Sequence, residues 1–195
     1  MPRTALLSPD DVIASAMRRF WRHGYHATSV DDLVKATGAS RHALYSSSGG
    51  KRDLYRQGFA VYRETVVTPA FAPVERAGAG LAAIRCYFEA QIAVAEREGL
   101  PGPGCLVANA TTETAPHDPE IAIEVAAHNR RLKAGFAQVL ANESEALSLE
   151  DVDALADFLL ITAQGLWSMS RTVASGQPLR SHVNTVMALL EAKAI

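Results

Sequence analysis

Cysteine is scarce in this chain of 195 residues: Cys86 and Cys105 are the only two, which argues against the disulfide framework of a small secreted domain. No run approaches the roughly 18 consecutive apolar residues of a membrane span. The opening MPRTALLSPDD lacks the uninterrupted apolar stretch of a signal peptide. These absences imply a cytoplasmic protein with no membrane partner. Strand-like alternation and internal repeats are also lacking. No base, orienting group and oxyanion site come together, so the chain does not read as an enzyme, although His117 or His128 with a cysteine would make a thiol pair. His117-Asp118 and His128 lack a third ligand at suitable spacing, so neither a metal nor a cofactor is expected. Charge of one sign is lacking overall, since 19 basic and 21 acidic residues leave −2.

What is present is helix. With 48% apolar residues the chain is long enough for a substantial core in one large or two small domains. Ser8-Pro9-Asp10-Asp11 opens a first helix with a cap, a proline at the first turn and acids for the dipole. Ile13, Met17, Phe20 and Trp21 form its apolar stripe, and Gly24 ends it. Further helices are predicted over 51–67, with Pro69 and Pro73 beyond, and over 81–98, ended by Gly99-Leu100-Pro101-Gly102-Pro103-Gly104. A short helix begins at Cys105 and stops before Pro116. Asp118-Pro119-Glu120 starts a long one to Ala141, Ser148 caps one reaching about Ala174, and Pro178 opens the last, to about Lys193. With the two short helices described next, the chain reads as all-α with about nine helices.

Residues 28–51 are the most informative. Ser29-Val30-Asp31-Asp32 is a capping-box variant; Val30, Leu33 and Val34 share one face, and Gly38 supplies a left-handed exit. Ser40 caps a second helix of about six residues whose inward positions are Ala43 and Leu44. Ser40, Arg41, His42 and Tyr45 stay outside, with Lys51 close behind. A second helix too short to stand alone, held by the first and displaying donors, is a helix-turn-helix built for the major groove of double-stranded DNA. Arg41 best suits a guanine edge, because its planar fork matches O6 and N7 together. Charge agrees with this reading. Residues 1–63 hold ten Lys or Arg and five Asp or Glu, and the remainder nine and sixteen, so the ends carry +5 and −7.

The order and spacing of Thr28-Ser29-Val30, Gly38-Ala39-Ser40, Ala43-Leu44-Tyr45 and Lys51 resemble the DNA-binding domain of TetR-family transcriptional regulators, over about residues 9–62. The chain departs from that pattern after Tyr45. There the family usually has an aromatic residue, and this chain reads Ser46-Ser47-Ser48-Gly49-Gly50, which would loosen the packing of the recognition helix on the helix that follows. The alternative reading is a small-molecule-binding helical module whose helix-turn-helix has degenerated.

The resemblance implies a DNA-binding domain at 1–50 and a ligand-binding and dimerisation domain at 51–195. It implies that Thr28, Tyr45 and Lys51 meet phosphate. It also implies a repressor that binds a palindromic operator as a homodimer and is released by a small-molecule effector. Candidate effector-lining residues are Tyr62, Tyr87, Phe88, Gln91, Asn109, Thr112, His128, Leu132, Gln164 and Trp167, a mostly apolar set with a few polar groups that fits a neutral, mainly apolar effector. An ordinary core would contain the same aromatics. Gly104-Cys105-Leu106 with Asn109 resembles a subset of the family that senses electrophiles through a cysteine, and a helix N-terminus lowers a thiol pKa. The bland alternative is a small buried residue. The last two helices carry wide apolar bands, expected to pair with their copies through Leu155, Leu159, Val183, Val186, Met187 and Leu190. The other reading makes both bands internal core.

Overall fold

In the computed structural model, capping signals and apolar periodicity resolve into helix, and no strand occurs among the described residues, 8–143 and 147–194. Residues 1–7, on which the signal-peptide reading rested, lie outside them. The helices are α1 (Pro9–His23), α2 (Val30–Thr37), α3 (Arg41–Ser48), α4, α5 (Leu81–Glu98), α6 (Leu106–Glu113), α7 (Pro119–Glu143), α8 (Leu149–Met169) and α9 (Gln177–Ala194). Helix α4 runs unbroken through an α segment (Lys51–Tyr62), a π segment (Arg63–Val67) and a closing turn (Thr68–Phe71). That makes nine helices among the described residues. None is long and apolar enough to cross a membrane.

Local chemistry explains the ends. Ser8 and Ser29 each close a reciprocal capping box, with Asp11 and Asp32 respectively. Asp32 is held below the ordinary carboxylate range chiefly by its hydrogen bonds from Ser29. Gly38 leaves α2 in the left-handed region, as its sequence position implies.

Two expected boundaries shift. Pro69 falls inside α4 rather than beyond it. The π segment widens the helix immediately before the proline, so the ring has room and its missing N–H breaks no regular ladder. Helix α8 stops at Met169 instead of about Ala174, because the Ser170 carbonyl accepts from the Gly102 amide at 2.9 Å and ties the chain to the loop before α6.

Two apolar clusters hold the molecule together. One joins α1–α4 to α6 and the start of α7 around Phe20, Leu33, Leu44, Leu54, Phe59, Leu106 and Ile121. The other joins the end of α4 to α5, α7, α8 and α9 around Phe71, Phe88, Phe136, Leu159 and Met187, and Trp167 packs against both. Fully burying one such side chain contributes about 1.5–3 kcal/mol. Gly135 of α7 is a point of close approach: a Cβ there would lie 2.6 Å from the Phe71 ring, so glycine lets the end of α4 rest directly on α7.

This packing overturns the expected dimer contacts. Leu159, Val183, Val186, Met187 and Leu190 are each at most 2% exposed within a single chain, and Leu155 packs against the same cluster. The five buried residues are this chain's own core, and Leu155 is half-buried at its edge. The bands of α8 and α9 face α5 and α7 and leave a different stripe outside: Phe158, Ile161 and Met169 on α8, and Leu189 on α9.

Candidate DNA-binding face and internal cavity

Four of the six candidate DNA contacts are exposed at the start of α3 or along it. Ser40 is exposed and its Oγ caps α3 by accepting from the Ala43 amide at 3.1 Å. Arg41, His42 and Tyr45 are exposed on α3 while Leu44 is buried beneath them. Arg41 donates to Asp31 of α2 at 2.6 Å, an exposed pair that a base edge would have to replace. Lys51 holds its ammonium 4.3 Å from the centre of the Tyr25 ring, and partial burial lowers its pKa.

Thr28 requires a correction. Its side chain is fully buried and its hydroxyl donates to the Gly24 carbonyl at 2.7 Å, so it holds the turn before α2 and is not presented to phosphate.

After Tyr45, at the serine–glycine run, a tight backbone turn joins α3 to α4. The Gly49 and Gly50 amides donate to Tyr45 and Leu44, and Gln57 donates to the Ser48 carbonyl. Gly49 has φ +73°, and a Cβ there would strike the Asp53 carboxylate, so the position needs glycine.

Several polar contacts join α1–α4 to the rest of the chain. The Glu113 carboxylate, at the end of α6, accepts from the Tyr25 amide at 3.0 Å and the His26 amide at 2.8 Å. The Trp21 indole donates to the Gly104 carbonyl at 2.8 Å. Arg52, Arg56 and Arg63 of α4 meet Asp118, Glu120 and Glu124 around the start of α7. Arg52 holds the Asp118 carboxyl down to about 2. Three of the basic residues that gave the N-terminal end its +5 therefore face α7.

Beneath this junction lies a cavity of about 90 Å³. Five of the expected lining residues reach it: Tyr62, Tyr87, Gln91, His128 and Trp167. Trp21, Val66, Glu98 and Ser170 also line it and were not anticipated. Trp21 had been assigned only to the stripe of α1, although an indole N–H needs a partner when half-buried, which was a usable signal.

The other five lie elsewhere. Phe88 and Leu132 are buried in the second apolar cluster. Asn109 donates to the Pro103 carbonyl, and with Thr112 it borders a surface hollow beside Glu113. Gln164 donates to Asn129 at 2.9 Å. Each is claimed by its own helix packing or by a neighbouring polar group.

The cavity is chemically neutral at its centre. Burial, with Arg131 and Arg63 nearby, brings the His128 imidazole down to about 4, so it is uncharged at neutral pH. Burial raises the pKa of Cys105, against which the Tyr62 hydroxyl lies. The expected lowering at a helix start is present, through the Val107 and Ala108 amides, but desolvation outweighs it. No group of three or more metal-ligating side chains occurs among the described residues.

The chain can now be set beside known proteins. The family model described as bacterial regulatory proteins, tetR family, matches residues 12–57. The model of the tetracyclin repressor-like C-terminal domain matches residues 80–186. The HTH-type transcriptional regulator YezE of Bacillus subtilis, described as uncharacterized, is 30% identical, covering 92% of this chain and 94% of that protein. The HTH-type transcriptional repressor ComR of Escherichia coli is 29% identical, covering 96% and 90%. Among solved structures, a cysteine mutant of the regulator CifR bound to 26-bp operator DNA superposes with a TM-score of 0.75 at 21% identity, covering 96% of this chain and 98% of that one. A regulator from Chloroflexus aurantiacus gives 0.79 at 20%, covering 93% of each.

Proposed function

The chain belongs to the TetR family of bacterial regulatory proteins, and from that premise we propose that this DNA-binding transcriptional regulator, which is not an enzyme, is a ligand-responsive homodimer. The observation that carries the reading is the cavity itself, walled jointly by Trp21 of α1 in the DNA-binding domain and by α4, α5, α7 and α8. An occupant there touches the elements that orient α3. Its effector is small, neutral and mainly apolar, in keeping with aromatic walls and an uncharged His128. Release from DNA follows when the effector prefers the state with wrongly spaced recognition helices, by about 1–3 kcal/mol. That makes the protein a repressor, acting in the cytoplasm where its DNA lies.

Support for the homodimer comes from the exposed stripe. Phe158, Ile161 and Met169 of α8 and Leu189 of α9 are 38–70% exposed in the single chain, and a Cβ added at Gly165 between Ile161 and Met169 would meet no other side chain within 4 Å. A two-fold axis through that stripe sets the recognition helices one turn of DNA apart, about 34–36 Å, and makes the operator palindromic. Arg41 reads a base edge after leaving Asp31, while Tyr45, Lys51 and the start of α3 meet the backbone. Effector binding is non-covalent, because burial keeps the Cys105 thiol protonated. A Cys105→Ser protein that loses its response to a reactive aldehyde or quinone while keeping its DNA affinity would reverse that choice.

The direct test is binding of purified protein to DNA fragments flanking its own gene. Saturable binding to one palindrome, weakened by Arg41→Ala, is expected. Weak binding, uniform across fragments and abolished by modest salt, points instead to a degenerate recognition helix.

A further inference from the structure

Trp21 belongs to the first helix of the DNA-binding half, yet its indole forms part of the cavity wall. One hydrogen bond to the Gly104 carbonyl, 2.8 Å long, holds its polar edge. Its ring meets Tyr62 edge-on with centroids 5.0 Å apart. Trp167 also lines the cavity, and these two are the only tryptophans in the chain. Gln91 and His128 also reach the cavity and have no hydrogen-bond partner among the described residues.

Size decides what happens on entry. The cavity, about 90 Å³, is smaller than the roughly 150 Å³ apolar cavity that accepts benzene. The pocket opens to solvent, so a one-ring molecule can enter, but it is buried completely only if a wall yields. Tyr87 is locked among Phe71, Phe88 and Phe136, and Tyr62 is buried against Cys105 and Leu106. Trp21 is only half-buried and leans on the loop before α6. It is the wall with somewhere to go. Charge points to a neutral ligand, since Glu98 in the wall is paired with Arg22, and Arg63 and Arg131 near His128 are paired with Glu124 and Glu75.

We propose that the effector is a neutral single-ring molecule with one hydroxyl or carbonyl group, which bonds to His128 and Gln91 and seats its ring against Trp21. The indole leaves the Gly104 carbonyl, and α1 tilts relative to α6. The DNA-binding half is thus itself part of the effector site. This rests on the ligand-responsive reading above, but assigns the response to one side chain.

The probe is p-cresol, with toluene lacking its hydroxyl and benzoate adding a charge. Because both tryptophans line the cavity, intrinsic tryptophan emission reports on this site alone. In Trp167→Phe, p-cresol should change the remaining Trp21 emission saturably. Toluene should bind about tenfold more weakly, the effect of one lost hydrogen bond, and benzoate should not compete. On an operator selected from random duplexes by the unliganded protein, p-cresol should weaken DNA binding at least about fivefold. Trp21→Phe keeps an aromatic wall but loses the N–H. It should still bind p-cresol by calorimetry, with the effect on DNA reduced to less than about twofold. Undiminished coupling in Trp21→Phe, or p-cresol binding that leaves Trp21 emission unchanged, overturns the role of Trp21. No p-cresol binding overturns the ligand class. Failure to bind any operator without probe would instead strike the regulator reading itself.

Discussion

His128 offers a quantitative check on the cavity. Burial first, then Arg131 and Arg63, hold its pKa at about 4 in the folded chain, against about 6.5 when unfolded. As pH falls from about 6.5 to about 4, the unfolded chain takes up a proton that the folded chain refuses. A base whose folded pKa is lowered thus leaves stability intact above the upper value. Stability then falls as pH drops through the window, and the loss is complete below about 4. Between about pH 7 and about pH 4.5 this amounts to about 2–3 kcal/mol. Urea unfolding of the native protein and of His128→Gln at those two values isolates the effect. Carboxylates such as Asp118 titrate in both proteins and cancel. The native protein should lose about 2–3 kcal/mol more than the variant. Equal losses, or a His128 ring titrating near its ordinary value by NMR, would refute the buried neutral imidazole and with it the hydrogen-bonding role assigned to it.

Glu113→Ala should cost about 1–3 kcal/mol in urea unfolding, because two backbone amides lose a charged acceptor; Glu113→Gln, which keeps one acceptor, should cost less. Leu159→Ala should destabilise the folded chain by about 2–5 kcal/mol, as a core residue does. Ile161→Asp, 70% exposed in the single chain, should leave chain stability within about 0.5 kcal/mol yet shift the sedimenting species from dimer to monomer. Gly49→Ala should lower the thermal midpoint by the equivalent of about 1–2 kcal/mol for its left-handed backbone, with more from the Asp53 clash. An unchanged midpoint would mean the turn re-forms differently.

The DNA-binding half was legible because its signals are local. Ser29, Asp32, Gly38 and Ser40 act within a few residues of themselves, and the structure places them as caps and exit. Thr28 escaped because its partner, the Gly24 carbonyl, depends on the path of the preceding turn. The bands of α8 and α9 show the limit of periodicity. A helix apolar on two sides does not say which side meets the chain's own α5 and α7, so Leu159, expected at a dimer contact, is core, while Ile161, which carried no expectation, is the exposed one. Cys105 posed a contest of magnitudes, in which the amide contacts were foreseeable and the burial that outweighs them was not. The cavity mixed both cases. Aromatic and polar residues of the central helices pointed to Tyr62, Gln91 and His128, whereas Trp21 joins them only through tertiary packing of α1 on the loop before α6.

Hydroxyl-radical footprinting of the protein on its selected operator tests the central claim most directly. A dimer with paired recognition helices should protect two blocks related by a two-fold axis, with centres one helical turn, about 10 base pairs, apart. A single block without symmetry, or uniform protection along the duplex, would contradict it.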